Sequence, residues 1–257
     1  MRRADGDARV EVWSTAPLDV DDARLLPVLD HGERARAEAM ADDSRARFVQ
    51  TRALLRAVLG ARLGLAPHEV TLRAPCPVCG GPHGPVTVGL PVGTSGPRWH
   101  VSVSRSGPLL AVALGPTGPL GIDVESHARV AQAPLAGVAL SPAERRRYDR
   151  LPHDGRVAAL ARAWVRKEAV LKAEGSGLRV DPALVDVRAD LVRLDHAPGG
   201  AGAVARLVDL DLGPGVSGAL ARRAGPAARP EAAARVPDRL DVVVHDGAPV
   251  VDALLAR

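Results

Sequence analysis

The sequence predicts an α+β fold of two similar lobes, on three observations. Helical spacing of apolar residues gives way to strand-like alternation once in each half of the chain. Both halves run helix first and strands after. A Gly/Pro seam, GPTGP at residues 115–119, separates them. A length of 257 residues sets one or two domains and lets folding bury roughly 70–75% of the unfolded chain's surface.

The elements follow in order. Residues 10–13 read as a short first strand, and 19–41 are charged and helix-prone. Over 44–63, Phe48, Leu55, Leu59 and Leu63 keep helical spacing with Arg45, Arg52, Arg56 and Arg62 between them. A Gly/Pro-rich loop, APCPVCGGPHGP (74–85), is followed by sparse structure to 96. Trp99, Val101 and Val103 alternate with His100, Ser102 and Ser104, the pattern of a half-buried strand. Residues 109–114 read as a fully buried strand and 120–125 as another. Ser141-Pro142-Ala143-Glu144 carries an N-cap, a Pro at N1 and a capping-box Glu. A long helix is expected over 154–173, stopped by Gly175 and Gly177. Strands are expected at 184–187, 204–210, 216–221 and 240–244, with an Ala/Pro-rich loop at 224–234 and a short tail. The lobe boundary falls at 117/118, giving lobes of 1–117 and 118–257.

Composition excludes several function classes. The longest apolar run, Leu109 to Leu114, is far short of the ~18–20 residues of a membrane span. The start is basic but holds Asp5 and Asp7 and no apolar segment, so it does not read as a secretory signal. Two cysteines are too few for a disulfide scaffold and fit a cytoplasmic location. Five aromatics cannot support stacking along a nucleic-acid strand. No membrane and no nucleic-acid partner is therefore expected. Net charge is +4, and of 34 basic residues 32 are Arg. GC-rich coding accounts for that excess.

The chemistry lies in three segments. Asp123 and Glu125 are two apart in Leu120-Gly121-Ile122-Asp123-Val124-Glu125, so in a strand both carboxylates share one face. Such a pair suits Mg²⁺, although Asp-x-Glu at a strand end is also commonly just solvated. Trp164-Val165-Arg166-Lys167-Glu168-Ala169-Val170-Leu171-Lys172 sets Glu168 and Lys172 four apart on a helix, the spacing of an ordinary exposed ion pair. Composition speaks against the ordinary reading: the only two lysines of the chain flank one glutamate. An ammonium is a compact charge that can lose its proton, unlike a guanidinium. Ser104-Arg105-Ser106, before a Gly turn, offers hydroxyls and a guanidinium to a phosphate.

Taken together, Ser104-Arg105-Ser106, then Gly-Ile-Asp-Val-Glu, then Trp-x-x-Lys-Glu-Ala-x-x-x-Lys resemble the phosphopantetheinyl transferase family. The Arg-rich helix RARFVQTRALLR (45–56), the stretch AEGSGL (173–178) and LVDLDLGPGVSGALA (207–221) extend the resemblance to about residues 10–222. Length points to the monomeric two-lobed branch, the surfactin-synthetase-activating type, built as a pseudo-dimer with a small antiparallel sheet and helices in each lobe. The resemblance implies transfer of the 4′-phosphopantetheine arm of coenzyme A to a serine of an apo acyl or peptidyl carrier protein, with release of adenosine 3′,5′-bisphosphate. The carrier could serve polyketide, nonribosomal peptide or fatty acid synthesis. Asp123, Glu125 and Glu168 would hold Mg²⁺ or Mn²⁺. Glu168, or a water on the metal, would take the serine proton, and Asp123 would assist. Lys167 would neutralise or protonate the leaving phosphate, and Lys172 would hold a pyrophosphate oxygen. Arg45, Arg52, His83, Ser104 and Arg105 complete the expected coenzyme site. Two positions depart from the family pattern. Arg105 stands where the family has His, keeping a phosphate contact but not a neutral imidazole. His83-Gly84-Pro85 stands where Gly-Lys-Pro is frequent.

Other readings remain open at this stage. An Arg-rich face could bind a polyanion, although an acidic carrier protein suits the same face. A family member silenced by Arg105 is a further alternative. Cys76-x-x-Cys79 with His83 has the spacing of half a zinc site, but no fourth ligand is evident and loop packing is the favoured reading.

Overall fold

The computed structural model describes residues 9–89, 98–194, 203–224 and 239–256. Strand β1 (Val10–Thr15) opens the chain. The helix-prone stretch after it divides into a 3-10 turn (Asp22–Val28) containing Pro27 and a helix α1 (His31–Glu38). Proline lacks the N–H that a continuous helix needs, and Asp30 with Glu33 forms a capping box that restarts it. Helix α2 (Asp42–Leu63) ends at Gly64, whose φ of +68° closes it in a left-handed cap. Strands β2 (Thr71–Arg73) and β3 (Thr87–Gly89) form a hairpin, with the cysteine-bearing loop as its tip. The expected loop at 74–85 is thus the connection of a hairpin whose strands were not expected, β3 lying in the stretch read as sparse, of which residues 90–96 fall outside the described residues.

Strands β4 (His100–Ser106), β5 (Leu109–Gly115) and β6 (Leu120–Ser126) follow as expected. Helices α3 (His127–Gln132), α4 (Ala136–Ala139) and α5 (Pro142–Asp149) lead to α6 (His153–Glu174). Helix α5 carries the expected Ser141/Glu144 capping box, and α6 stops at Gly175, φ +85°. The expected strand at 184–187 is not formed. A 3-10 turn (Pro182–Leu184) stands there, and strand β7 (Leu191–Leu194) comes later. The reason is tertiary: the carbonyls of Pro182 and Val185 accept from Lys167 and that of Val187 from Arg166, so buried cations of α6 satisfy groups that a ladder would otherwise use. Strands β8 (Ala203–Leu210), β9 (Val216–Arg223) and β10 (Val242–Asp246) complete the sheets. The expected tail is instead a helix, α7 (Ala248–Leu255), with Val251 buried in the α2 core. The Ala/Pro-rich stretch at 224–234 lies, beyond residue 224, outside the described residues.

Two four-stranded sheets result, ordered β10-β1-β5-β4 and β6-β9-β8-β7. Each is antiparallel except for the β1–β10 pair, which is parallel. Each has a 22-residue helix, α2 or α6, against one side. Between the sheets lies a third apolar layer in which Val10, Val12, Ala111 and Ala113 meet Ile122, Val124 and Leu220. The step from one sheet to the other falls at the Gly/Pro seam between β5 and β6. Strand β10 and helix α7 cross back over it to the first sheet, which places residues 242–255 with the N-terminal lobe.

Candidate active site

The site begins with a glycine. A Cβ on Gly121 would stand 1.9 Å from the Ala169 carbonyl oxygen and 2.5 Å from the Ala173 nitrogen. Only hydrogen at this position lets the α6 backbone lie on β6. Because strand side chains alternate, Asp123 and Glu125 share the α6-facing side of β6 with Gly121, while Ile122 and Val124 fill the layer between the sheets. That contact brings Glu168 and Lys172, one turn apart on α6, over the two carboxylates.

Asp123 is 5% exposed, and its Oδ1 accepts from Lys172 Nζ at 2.7 Å and from Ser104 Oγ at 2.8 Å. Lys172 Nζ also donates to the Ile122 carbonyl at 3.1 Å. Ser106 hydrogen-bonds Glu125 Oε2. Burial raises the Glu125 pKa, the Ser106 bond opposes this, and the Asp123 charge adds to it. Glu168 is pushed up to about 7, first by burial, then by repulsion from Asp123, with Lys172 pulling the other way. Asp123 Oδ2 and Glu168 Oε1 are both buried and have no hydrogen-bond partner. Three crowded carboxylates, one ammonium and two unpartnered oxygens make a site with surplus negative charge and hard oxygen donors. Hard oxygen donors are the type a divalent cation takes, but among the described residues the ligand atoms of Asp123, Glu125 and Glu168 do not all converge within 4.8 Å of one another.

The serines are placed differently from the half-buried strand that alternation suggested. Ser102, Ser104 and Ser106 are all buried. Their hydroxyls accept from the N–H groups of Ile122 (3.0 Å), Val124 (3.2 Å) and Ser126 (3.4 Å), joining the edge of one sheet to the edge of the other. Ser104 and Ser106 thereby orient Asp123 and Glu125. Arg105 points to the opposite side, so the Ser-Arg-Ser triplet does not act as one phosphate clamp.

Arg105 instead joins a second cluster. The guanidiniums of Arg36, Arg52 and Arg105 lie 5.0, 5.4 and 5.4 Å from the centre of the Phe48 ring. Burial, followed by repulsion from Arg52, Arg36 and Arg47, lowers Arg105 to about 10. Arg36, Phe48 and Arg52 line a cavity of about 400 Å³ together with Arg73, Pro75 and Pro82. Partly desolvated guanidiniums converging on a cavity favour an anion there. Arg45 is not among the cavity's lining residues and pairs with Asp22 at 3.1 Å. His83 is exposed, with Nε2 3.0 Å from Cys79 Sγ.

Residues 119–208 match the model of the 4′-phosphopantetheinyl transferase superfamily. The match covers β6 and α6, hence every charged residue of the carboxylate site, and supports a transferase of that superfamily. No curated protein matches the chain. Among the described residues no helix is long and apolar enough to cross a membrane.

The structure places one residue expected at this site elsewhere. Lys167 neighbours Glu168 but projects about 100° round the helix from it. It is fully buried, and its Nζ donates to Glu144 Oε2 (2.7 Å) and to the Pro182 and Val185 carbonyls (2.8 Å each). All three ammonium donors are used, so Lys167 anchors the 182–185 turn and is not presented to the carboxylate site. Reasoning from sequence counted Arg36 only in the Arg-rich face and Phe48 only among the apolar residues of its helix, and joined neither to Arg105. Phe48 and Arg52 have i,i+4 spacing on α2, a signal that could have been found, whereas nothing local links Arg36 to Arg105.

Proposed function

We propose that the chain transfers the 4′-phosphopantetheine arm of coenzyme A to a serine hydroxyl of an apo acyl or peptidyl carrier protein, releasing adenosine 3′,5′-bisphosphate. The observation that carries this reading is the half-buried Glu168, held near neutrality beside Asp123, Glu125 and Lys172 within the segment that matches the superfamily. A carboxyl with its pKa near 7 is suited to accept a proton at physiological pH.

In this reading the serine oxygen forms a bond to the phosphorus on the pantetheine side of the pyrophosphate. The bridging P–O bond breaks, and its electron pair leaves with the nucleotide bisphosphate. Glu168 takes the serine proton. Lys172 offsets charge on the phosphate oxygens, and Ser104 and Ser106 keep Asp123 and Glu125 aimed. Asp123, Glu125 and Glu168 would hold Mg²⁺ or Mn²⁺, which supplies positive charge to the pyrophosphate when bound. Arg36 and Arg52 would receive phosphate of the nucleotide in the neighbouring cavity, and Arg105, which stacks on the same Phe48 ring but does not line the cavity, would add positive charge beside it where the family has an imidazole. With both lobes in one chain, the protein belongs in this reading to the two-lobed branch and works as a monomer. An acidic carrier would complement the net charge of the chain, +4.

Incubation with coenzyme A, Mg²⁺ and a panel of apo carrier proteins tests the proposal. Intact mass should show one phosphopantetheine added to at least one carrier, with loss of transfer for Glu168→Gln. Absence of any adduct across acyl and peptidyl carriers, or full transfer by Glu168→Gln, would overturn it.

A further inference from the structure

Outside the carboxylate site, one cluster of ligand-type side chains stands apart. Among the described residues, Cys76, Cys79 and His83 bring their ligand atoms within 4.8 Å of one another. Tetrahedral zinc, with Zn–S about 2.3 Å and Zn–N about 2.1 Å, holds such atoms about 3.5–3.8 Å apart, within a small adjustment of this cluster. Both cysteines of the chain are in it and both are free thiols.

The backbone is already arranged around the sulfurs. Gly80 N donates to the Cys76 carbonyl at 2.8 Å, and Gly80, at φ +72°, makes the reversal that carries Cys79 back beside Cys76. Cys76 N donates to the Gly81 carbonyl at 2.8 Å, and Gly84 N to that of Ala74 at 2.8 Å, which closes the loop at its base. A Cβ on Gly84 would stand 2.0 Å from the Pro75 carbonyl oxygen, so this closure needs glycine there. The N–H groups of Cys79 and Val78 point at the Cys76 sulfur and favour its thiolate.

Loop packing alone does not explain the convergence. Packing gathers side chains by burying them, yet Cys79 and His83 are exposed while Cys79 Sγ and His83 Nε2 approach to 3.0 Å. We propose that Cys76, Cys79 and His83 bind one zinc ion, with solvent in the fourth position. Binding releases the two thiol protons and takes the imidazole in its neutral form. The ion pins the tip of the β2–β3 hairpin. The same loop supplies Ala74, Pro75, Gly80 and Pro82 to the wall of the arginine-lined cavity, and Arg36 Nη1 donates to the Pro82 carbonyl at 2.6 Å. The metal would therefore fix one wall of that cavity from outside, whatever the cavity binds.

The full chain, purified reduced from zinc-supplemented cells, should contain one zinc per molecule by elemental analysis. Replacement with Co²⁺ should give thiolate-to-cobalt charge-transfer absorption in the near ultraviolet. Loss of a hydrogen-bond partner of a metal ligand already costs about 10–100-fold in affinity, so Cys79→Ser and His83→Ala should each weaken zinc binding by more than ~100-fold. Glu168→Gln should retain the metal, which separates this site from the carboxylates. Competition of the parent protein with a chromophoric chelator reads the same affinity without any variant that could fail to fold. Metal-free reduced protein with no cobalt charge-transfer band, recovery of a Cys76–Cys79 disulfide from zinc-replete cells, or unchanged affinity in both folded variants would overturn the site.

Discussion

Glu168 couples stability to function in a way that pH exposes. In metal-free buffer its carboxyl titrates at about 7 in the folded protein, against an ordinary 4.5 in the unfolded chain. Between those values the folded state keeps a proton that the unfolded state has lost. Stability therefore falls as pH rises from 4.5 toward 7, and the penalty is complete above 7. At 1.36 kcal/mol per decade the interval corresponds to about 3 kcal/mol, trimmed toward 2 kcal/mol because solvent reaches the half-buried group. Glu168→Gln removes the charge and keeps the shape. It should melt above the parent by about 4–10 °C at pH 8, for a chain of this size, and match it near pH 4.5. Thermal melts in chelator at pH 5, 6, 7 and 8 measure the difference. Added Mg²⁺ should raise the parent at pH 8 and leave the variant unmoved. A gap that does not change with pH, or a variant less stable than the parent at pH 8, would refute the account of crowded, desolvated carboxylates.

The two lysines should separate cleanly. Lys167→Ala leaves Glu144 buried without its cation and should cost about 3–5 kcal/mol in urea denaturation, whereas Lys172→Ala should fold and lose transfer; a stable but inactive Lys167→Ala would return Lys167 to the chemistry. Gly121→Ala must push α6 off β6, and we expect a loss of about 1–3 kcal/mol together with most of the Mg²⁺-dependent stabilisation, read by melts with and without the ion. Arg52→Ala should weaken adenosine 3′,5′-bisphosphate binding by about 10–100-fold in calorimetry, the range for a charged hydrogen bond, while carrier affinity stays put. Equal weakening toward both ligands would argue for general loosening of α2.

Much of the site was legible because its signals are local. Asp123 and Glu125 alternate on one strand, and Glu168 and Lys172 repeat one helical turn; both relations follow from backbone period alone. The capping box at Ser141 and the stop at Gly175 are equally local. The fate of Lys167 was not legible. Its position on the helix is set by sequence, but its three acceptors come from Glu144, Pro182 and Val185, 15–23 residues away. The serines of β4 behaved likewise: alternation showed that they share a face, and only the meeting of β4 with β6 made that face buried.

By itself, then, the sequence determined which charged residues share a face, where the long helices stop, and that two lysines stand out from an arginine background. The tertiary structure decided which of those lysines meets the carboxylates, that Arg105 joins Arg36 and Arg52 around Phe48, and that the C-terminal strand closes the first sheet. The division has a physical reason. Periodicity and capping depend on neighbours within a turn or two. Burial, charge pairing and the shift of Glu168 depend on groups that only packing brings within a few ångströms, here through the missing side chain of Gly121.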